Sequence, residues 1–247
     1  MINGVNLLFP VLNEHIRLQK GIDTAYAYCK ENLKVPFVMT ILDNGSDDDT
    51  PEIGKSLEAK YPEVTYVRIE ERGVGIAFKT GINMNTFDIV GYMDIDLSTD
   101  IRYLSVMLEA FEKDPELMYV NGSRFSKDSD TKGRKWYRKI TSMGLVILLK
   151  TILKMKATDA VCGFTFVRKE AGTRLVSECG NDKGWFYTIE FLLRAERDGM
   201  KILDLPVEWT EDYNTTVKIF KTIKNYLINI RRLHKTFKEE DKKKKSA

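Results

Sequence analysis

Short apolar runs alternate with longer segments of helical spacing along the N-terminal part of the chain. Each run is short enough for a buried strand, and the segments between them carry apolar residues three and four positions apart. The runs lie at 4–9, 35–42, 64–68 and 87–93, the helical segments lie at 15–32 and 51–60, and a glycine-rich loop at 72–81 leads into a third helix. This alternation predicts an α/β fold with a doubly wound, mostly parallel sheet.

The C-terminal part is less regular. The pattern predicts helices at 101–113, 136–155, 185–197 and 215–237, and strands at 117–122, 161–167 and 201–207. The polar segment 127–135 is expected to be a mobile loop, and the lysine-rich residues 238–247 are expected to form a disordered basic tail. We therefore predict one folded domain over residues 1–214, followed by an amphipathic helix at 215–237 and the tail.

Composition excludes several classes of protein. A hydrophobic content of 43% and a charged content of 30% over 247 residues are typical of a soluble globular protein. The net charge of +3 is too small to indicate nucleic acid as a partner. Cys29, Cys162 and Cys179 form no CxxC pair, which disfavours a zinc site and suits a reducing compartment. With no signal-peptide pattern and no apolar run long enough to span a bilayer, we expect a cytoplasmic protein.

Asp94 and Asp96 follow the buried run at 87–93 and form a DXD motif. Side chains two positions apart share one face of a strand, and ligands bind at the carboxyl ends of strands in open α/β sheets. Two close carboxylates repel each other unless a cation lies between them, so the pair predicts a site for a hard divalent cation. The alternative is a solvated acidic turn.

The other strand ends and the glycine-rich loop also carry candidate binding residues. Asp43 and Asn44 follow the second strand and can hydrogen-bond a base or ribose, although Asn-Gly also favours a turn. The loop has Phe78 where a dinucleotide fingerprint needs glycine, and no glycine directly before Lys79, so NAD-binding and P-loop readings are disfavoured. We instead expect its backbone, at Gly73, to approach a nucleotide with Lys79 nearby.

Eight motifs in order make the chain resemble the family 2 glycosyltransferases of the GT-A fold, and above all their polyprenyl-phosphate (dolichyl-phosphate) mannosyl- and glucosyltransferase branch. They run from about residue 5 to 220: FPVLNE, LDNGSDDDT, RGVGIAFKTG, DIDLSTD, GSRF, the pair Arg138 and Ser142, TDAVCGF, and GWFYTIE through PVEW. The resemblance implies a GT-A type fold, with a Rossmann-like nucleotide half at 1–100 and an acceptor half at 101–214.

The resemblance also implies a role for each matching residue. The residues expected to bind the nucleotide sugar are Pro10, Leu12, Glu14, Asp43, Asn44, Gly73 and Lys79. Asp94 and Asp96 would bind its diphosphate through Mg²⁺ or Mn²⁺. Arg124, and Arg138 with Ser142, would hold an acceptor phosphate, and Asp159 and Glu190 match acidic positions near the acceptor, where a helix or strand cap is the alternative.

The chain departs from the family pattern at several positions. Leu12 stands where the family often has tyrosine, Asn44 stands where it often has aspartate, and Ser98 stands where it often has glutamine as a metal contact. Lys218, the candidate for the lysine that reaches the donor phosphate, is shifted from the usual place. These changes favour a UDP-sugar over GDP-mannose as the donor.

The implied function is inverting, metal-dependent transfer of a hexose to a polyprenyl (undecaprenyl or dolichyl) phosphate at the cytoplasmic membrane face. The alternative acceptor is a glycan hydroxyl in cell-wall or surface polysaccharide synthesis, for which Asp159 or Glu190 would take the proton. A catalytically silent nucleotide-sugar sensor would be expected to lack one of the two aspartates. A nucleic-acid partner rests only on the basic C-terminus and is not expected.

A lipid acceptor requires contact with a bilayer. The apolar segment at 143–155 and the Lys/Arg-faced helix at 215–237 can lie in the membrane interface, which predicts a peripheral protein on the inner face of the plasma membrane. The alternative is that these helices pack on the sheet or pair between subunits of a homo-oligomer.

Overall fold

The computed structural model describes residues 2–212 and 219–246, with the side chains of 219–221 left out. Its main feature is a seven-stranded sheet with the order β3-β2-β1-β4-β7-β5-β8, beside a two-stranded sheet of β6 and β9. The strands are β1 (Val5–Val11), β2 (Phe37–Asp43), β3 (Val64–Arg68), β4 (Ile89–Met93), β5 (Leu117–Ser123), β6 (Asp130–Lys132), β7 (Phe164–Arg168), β8 (Lys201–Pro206) and β9 (Glu208–Thr210). The helices are α1 (Leu18–Asn32), α2 (Thr50–Lys60), α3 (Val74–Met84), α4 (Tyr103–Lys113), α5 (Trp136–Leu153), α6 (Lys169–Glu178), α7 (Phe186–Arg197) and α8 (Ile219–Ser246).

Strand β1 lies at the topological switch point of the sheet. It pairs in parallel with β2 on one side and with β4 on the other. Its side chains alternate between two cores: Val5, Leu7, Phe9 and Val11 belong to one cluster, and Leu8 belongs to the other. Helices cover both faces, as the apolar character of the strands requires. The predicted α/β fold with a doubly wound, mostly parallel sheet is confirmed, and the carboxyl ends of β1, β2 and β4 meet at one edge.

Strand β7 is the exception to the parallel arrangement. It lies between β4 and β5 and runs antiparallel to both. The strand expected at 161–167 begins only at Phe164, because Gly163 turns with φ +77° and its carbonyl accepts a hydrogen bond from the backbone N–H of Asp94 at 3.2 Å. The reversed strand therefore starts at the edge of the sheet where β4 ends.

Two further segments differ from the sequence-based expectation. The stretch predicted as a mobile loop at 127–135 contains β6, which pairs in parallel with β9. Thr50 stands directly before Pro51, a position that predicts the N-cap of α2. Its hydroxyl oxygen instead accepts a hydrogen bond from the backbone N–H of Glu14 at 2.8 Å. Both segments are therefore fixed by contacts with distant parts of the chain.

The basic tail predicted to be disordered is helical as far as Ser246. Acidic residues interleave with its lysines, and they reach α7: Arg194 donates to Glu240 at 3.2 Å and Arg197 also donates to Asp241. The Arg197 guanidinium lies 4.1 Å from the centre of the Phe237 ring, which is buried. These contacts explain why the helix continues past residue 237. Within the described ranges, no helix combines the length and the apolar character needed to cross a bilayer.

Candidate active site

A cavity of about 790 Å³ opens at the edge of the sheet where β1, β2 and β4 end. Its walls are the loops after these strands, the segment after β9, and the facing sides of α5 and α8. Most of the predicted site residues line it: Pro10, Leu12, Glu14, Asn44, Gly73, Asp94, Asp96, Arg124, Arg138 and Ser142. Its size is that of a site for a small-molecule ligand.

Asp43 and Lys79 do not line the cavity. The buried Asp43 carboxylate accepts hydrogen bonds from the Tyr66 hydroxyl at 2.6 Å, from Arg68 at 2.9 Å and from the backbone N–H of Ser46 at 2.9 Å. Burial alone would raise the pKa of Asp43, but these hydrogen bonds hold it below its ordinary value. Asp43 therefore braces the loop after β2, and its predicted contact with a base or ribose stays a prediction.

Asn44 links two loops that border the nucleotide half. Its amide nitrogen donates to the Val11 carbonyl at 2.6 Å, and its amide oxygen accepts from the backbone N–H of Gly73 at 3.1 Å. Gly73 has φ +150°, and a Cβ at this position would lie 2.1 Å from the Lys183 carbonyl oxygen. The glycine is thus required for close contact with the loop before α7, as well as for any approach to a nucleotide.

Asp94 and Asp96 lie on a turn just past the end of β4. Asp96 accepts a hydrogen bond from the backbone N–H of Ser98 at 2.9 Å. Leu97, which lies between Asp96 and Ser98, has a φ of +53°. Burial and the nearby Asp96 carboxylate raise the pKa of Asp94 well above its ordinary value, and Arg124 opposes this only in part. The carboxylates come together by a turn, not by strand alternation as predicted.

This acidic pair fits a divalent cation shared with a diphosphate. No cluster of three potential ligands from His, Cys, Asp and Glu occurs in the parts of the chain that the structure describes. Mg²⁺ is commonly held by one or two carboxylates together with substrate phosphates, so a third protein ligand is not required. Burial and the neighbouring Asp96 carboxylate raise the pKa of Asp94, and a bound cation would oppose both effects by favouring the ionised carboxylate.

Glu14 is engaged by a basic neighbour on the same side of the cavity. Its carboxylate accepts two hydrogen bonds from Arg17, at 2.6 and 2.7 Å, and Arg17 also donates to Asp212 at 3.0 Å. Burial raises the pKa of Glu14 despite this pairing. Arg17 and Asp212 both line the cavity, and neither was predicted from the sequence.

Arg124 and Asp159, both predicted near the acceptor, form a buried bidentate ion pair. The two bonds measure 2.7 and 3.0 Å, and the Asp159 side chain is completely buried. Burial would raise the pKa of Asp159, but Arg124 holds it below its ordinary value. Arg124 lines the cavity and Asp159 lies behind it, so this carboxylate is a counterion and has no free access to a substrate proton.

Arg138 and Ser142 lie one turn apart on α5 and both line the cavity, and their predicted contact with an acceptor phosphate stays a prediction. Arg138 pairs with Glu211, and the Ser142 hydroxyl accepts a hydrogen bond from Arg134 at 2.7 Å. Arg134 and Glu211, which also line the cavity, were not predicted. The spacing of four positions between 134, 138 and 142 was the available signal for Arg134.

Glu190 lies away from the cavity, although it was predicted to be catalytic. It is completely buried within α7, and it accepts hydrogen bonds from Arg194 at 3.1 Å, from the backbone N–H of Gly180 at 3.0 Å and from Arg232 of α8. This network joins α7 to α8, which assigns Glu190 a structural position. Lys218 lies outside the described residues.

The comparison with protein families agrees with this geometry. The model described as glycosyl transferase family 2 matches residues 7–174. The chain belongs to glycosyl transferase family 2. The family match runs from within β1 to within α6, and so includes the DXD turn, Arg124 and Arg138. The predicted family and its enzyme class, glycosyltransferase, are confirmed.

Curated relatives come from archaea and eukaryotes. The chain is 28% identical over 221 residues to glycosyltransferase AglD of Haloferax volcanii, covering 89% of this chain and 35% of the relative. It is 28% identical to the dolichyl-phosphate beta-glucosyltransferase of Dictyostelium discoideum, covering 84% of this chain and 66% of the relative. A Trichomonas vaginalis protein, dolichyl-phosphate beta-glucosyltransferase ALG5A, is also 28% identical. The chain thus spans between about a third and 70% of the length of these relatives.

Solved structures confirm the GT-A type fold of this family 2 chain. Glucosyl-3-phosphoglycerate synthase from Mycobacterium tuberculosis, solved with Mn²⁺, UDP-glucose and phosphoglyceric acid, superposes with a TM-score of 0.70. The identity is 15%, and the match covers 94% of this chain and 79% of that one. At this identity the likeness concerns the fold alone.

Gly163 presses against the DXD turn, and its substitution provides a test of the site. A Cβ at this position would lie 2.0 Å from an Asp94 carboxylate oxygen, so Gly163→Ala must displace that side chain. We expect the affinity for UDP in the presence of Mn²⁺ to fall by about tenfold or more, as measured by calorimetry.

Gly199→Ala is the matched control for this substitution. Gly199 has a similar φ of +69°, but nothing lies within 4 Å of its added Cβ. Both variants therefore carry the same kind of backbone strain, and only Gly163→Ala disturbs the carboxylate. Equal affinities in the two variants would contradict the placement of Asp94 in the donor site.

Proposed function

We propose that this family 2 glycosyltransferase moves a hexose from a UDP-sugar to a polyprenyl phosphate, with inversion, at the inner face of the plasma membrane. The observation that carries the proposal is the composition of the cavity. Asp94 and Asp96 line it together with several arginines, and Leu145 and Leu148 of α5 and Ile223 and Leu227 of α8 add apolar side chains to the lining. In this arrangement residues 1–214 form the catalytic domain and α8 walls the acceptor side.

The donor end of the cavity supports a nucleotide sugar. Asn44 and Gly73 border the nucleotide side, and Asp94 and Asp96 are the residues that would hold Mg²⁺ or Mn²⁺ against the diphosphate. A bound divalent cation stabilises negative charge on the departing nucleoside diphosphate. The solved structural relative that carries Mn²⁺ and UDP-glucose is consistent with such a donor.

The acceptor end favours a phosphate over a hydroxyl as the nucleophile. A phosphate oxygen is already anionic at neutral pH, so its attack on the anomeric carbon in a single in-line displacement requires no general base. The two carboxylates predicted as bases are unavailable, since Asp159 is paired with Arg124 and Glu190 lies away from the cavity. The arginine fork matches the oxygens of a phosphate.

The faces of α5 and α8 support a lipid acceptor. On α5, Trp136 is 74% exposed and Ile147 is 62% exposed, and Ile140 and Met143 between them continue the same stripe. On α8, Ile223, Leu227 and Ile228 are exposed as well. Exposed Lys139, Lys150 and Lys224 lie on the same two helices. Apolar side chains beside lysines suit the interface of an anionic bilayer.

A glycan hydroxyl is the second candidate acceptor. One observation favours it: the buried Glu211 Oε2 has no hydrogen-bond partner within the described part of the structure, and Glu211 lines the cavity. A carboxylate oxygen so placed could take a hydroxyl proton. Its other oxygen is already paired with Arg138, so the phosphate acceptor, which needs no base, stays favoured.

A donor and acceptor panel tests the proposal directly. Purified protein is incubated with UDP-glucose, other UDP-hexoses and GDP-mannose, with Mn²⁺ or Mg²⁺, and with or without undecaprenyl or dolichyl phosphate. We expect a glycolipid product from a UDP-hexose only when both the metal and the polyprenyl phosphate are present, as measured by mass spectrometry. Polyprenyl alcohol in place of the phosphate is the control and should give no product. Product formed with a soluble glycan added in place of the lipid, together with no product from either polyprenyl phosphate, would overturn the proposal.

A further inference from the structure

Arg134 differs from the other arginines around the cavity in its lack of a carboxylate partner. Each of the others is paired, as Arg17 with Glu14, Arg72 with Asp47, Arg124 with Asp159, and Arg138 with Glu211. Within residues 2–212 and 219–246, no carboxylate lies within salt-bridge distance of Arg134. Since the cavity-facing arginines otherwise carry their own counterions, Arg134 contributes positive charge that the protein leaves unmatched.

The Arg134 guanidinium is nevertheless fixed in place. Its Nη2 donates to the Ser142 hydroxyl at 2.7 Å, and the group lies 5.1 Å from the Phe125 ring centre and 5.5 Å from that of Trp209. Its Nη1 is buried and has no hydrogen-bond partner among the described residues. A buried donor without an acceptor is unfavourable, so this nitrogen is available to donate a hydrogen bond to an oxygen of a ligand.

The electrostatic surroundings agree with an unmatched charge. Burial and the positive charge of Arg124 together lower the pKa of Arg134 to about 10. By contrast, Arg17 and Arg124 have raised pKa values despite their burial, because each has a carboxylate partner. A bound anion would raise the pKa of Arg134, as the Asp159 carboxylate raises the pKa of Arg124.

This basic group lies beside the turn that carries the acidic pair. The backbone N–H of Thr210 donates to the Ser98 carbonyl at 2.8 Å, which fixes the segment bearing Trp209 and Glu211 against the residues after Asp96. The Arg124 guanidinium packs against the same two aromatic rings as Arg134. It is also close enough to Asp94 to lower the pKa of the Asp94 carboxyl. An anion bound by Arg134 would therefore lie next to the donor end of the cavity.

We propose that Arg134, together with Ser142, binds the phosphate of the acceptor. Arg124 shapes the site through its pairing with Asp159, and Arg134 supplies the free guanidinium donor to a phosphate oxygen. The ligand class is a phosphate monoester whose apolar chain extends between α5 and α8. This inference rests on the proposed function, because it requires a polyprenyl phosphate as the acceptor.

Arg134→Gln and Arg134→Lys test the assignment, with Arg174→Gln as the control. Arg174 is an exposed, ion-paired arginine of α6 outside the cavity. In full-length enzyme with Mn²⁺ and the UDP-hexose that the wild type uses, we expect Arg134→Gln to raise the KM for undecaprenyl phosphate by about ten- to a hundredfold, the loss of one charged hydrogen bond. Arg134→Lys should recover part of this loss, because it keeps the charge but not the fork.

Donor binding and thermal stability separate the possible outcomes. UDP affinity with Mn²⁺, and the melting temperature, should match those of Arg174→Gln, while geranyl phosphate should raise the melting temperature of the wild type more than that of Arg134→Gln. An unchanged KM in Arg134→Gln, or an equal loss of UDP affinity, would overturn the assignment while the proposed function stands. If the wild type neither uses undecaprenyl phosphate nor responds to geranyl phosphate, the proposed function and this inference both fail.

Discussion

Asp96→Asn is expected to abolish sugar transfer while leaving the fold intact. The substitution removes a negative charge from the acidic pair, and charge stabilisation by a bound cation is worth several kcal/mol, or about a thousandfold in kcat. The structure indicates that folding will survive, because among the described residues the Asp96 side chain accepts one hydrogen bond, from the Ser98 N–H, and an asparagine oxygen can accept it as well. The measurements are the rate of glycolipid formation and the affinity for UDP with and without Mn²⁺.

Asp100→Asn is a suitable control for this variant. Asp100 lies four positions further along, pairs with Arg102 at the surface and does not line the cavity. Its substitution should leave turnover within about twofold, because surface ion pairs are worth little. Normal turnover in Asp96→Asn, or a comparable loss in Asp100→Asn, would disprove the assignment of the acidic pair to the donor site.

Asp159→Asn is expected to lower the free energy of unfolding by about 3–5 kcal/mol, because it leaves Arg124 buried without a counterion. Burial raises the pKa of Asp159 but Arg124 lowers it further, so the folded-state pKa lies below the unfolded value of about 3.9. The pair therefore contributes its full stability above that unfolded value, and the contribution is lost as the pH falls through the folded-state pKa. Urea unfolding at pH 7 and in steps below pH 4 measures both effects.

The variant and the wild type should converge in stability at low pH, where the wild-type carboxyl is protonated. Asp130→Asn controls for the loss of a carboxylate, since Asp130 forms an exposed pair with Lys132. That control should change the free energy of unfolding by about 0–1 kcal/mol. A stability difference between Asp159→Asn and wild type that is small at pH 7, or that grows on acidification, would contradict the role of the buried pair.

The position of the acidic pair in the sheet could be predicted from the sequence, but its local geometry could not. The order of strands and polar strand ends placed Asp94 and Asp96 at the correct edge of the sheet. Strand alternation was nevertheless the wrong reason for their proximity, since both residues follow β4 on a turn. Alternation describes side chains within a strand, and it does not determine where the strand stops.

The direction of β7 could not be predicted from the sequence pattern either. A short apolar run looks the same whether its strand is parallel or antiparallel, so the apolar pattern gave no reason to place Gly163 against Asp94. The reversal brings the start of β7 to the edge where the carboxylates lie. The close approach of the Asp94 carboxylate therefore explains why the TDAVCGF motif has a glycine at this position.

Pairing between distant charges explains the remaining differences. Arg124 and Asp159 were each predicted near the acceptor, but that they neutralise each other follows only from the packing of segments 35 residues apart. Arg134 was missed because the surrounding charged stretch was interpreted as a mobile loop. In the same way, Glu240 and Asp241 give the C-terminal lysine-rich segment partners on α7 that composition alone does not reveal.

The volume of the cavity has a consequence for how an acceptor would be selected. About 790 Å³ must be shared between a nucleotide sugar and whatever enters between α5 and α8, so only the first part of a long isoprenoid fits inside. The rest of such a chain would stay in the bilayer and make no contact with the protein. Recognition would then depend on the charged head and the nearest isoprene unit, so that lipids of very different tail length would be equivalent substrates.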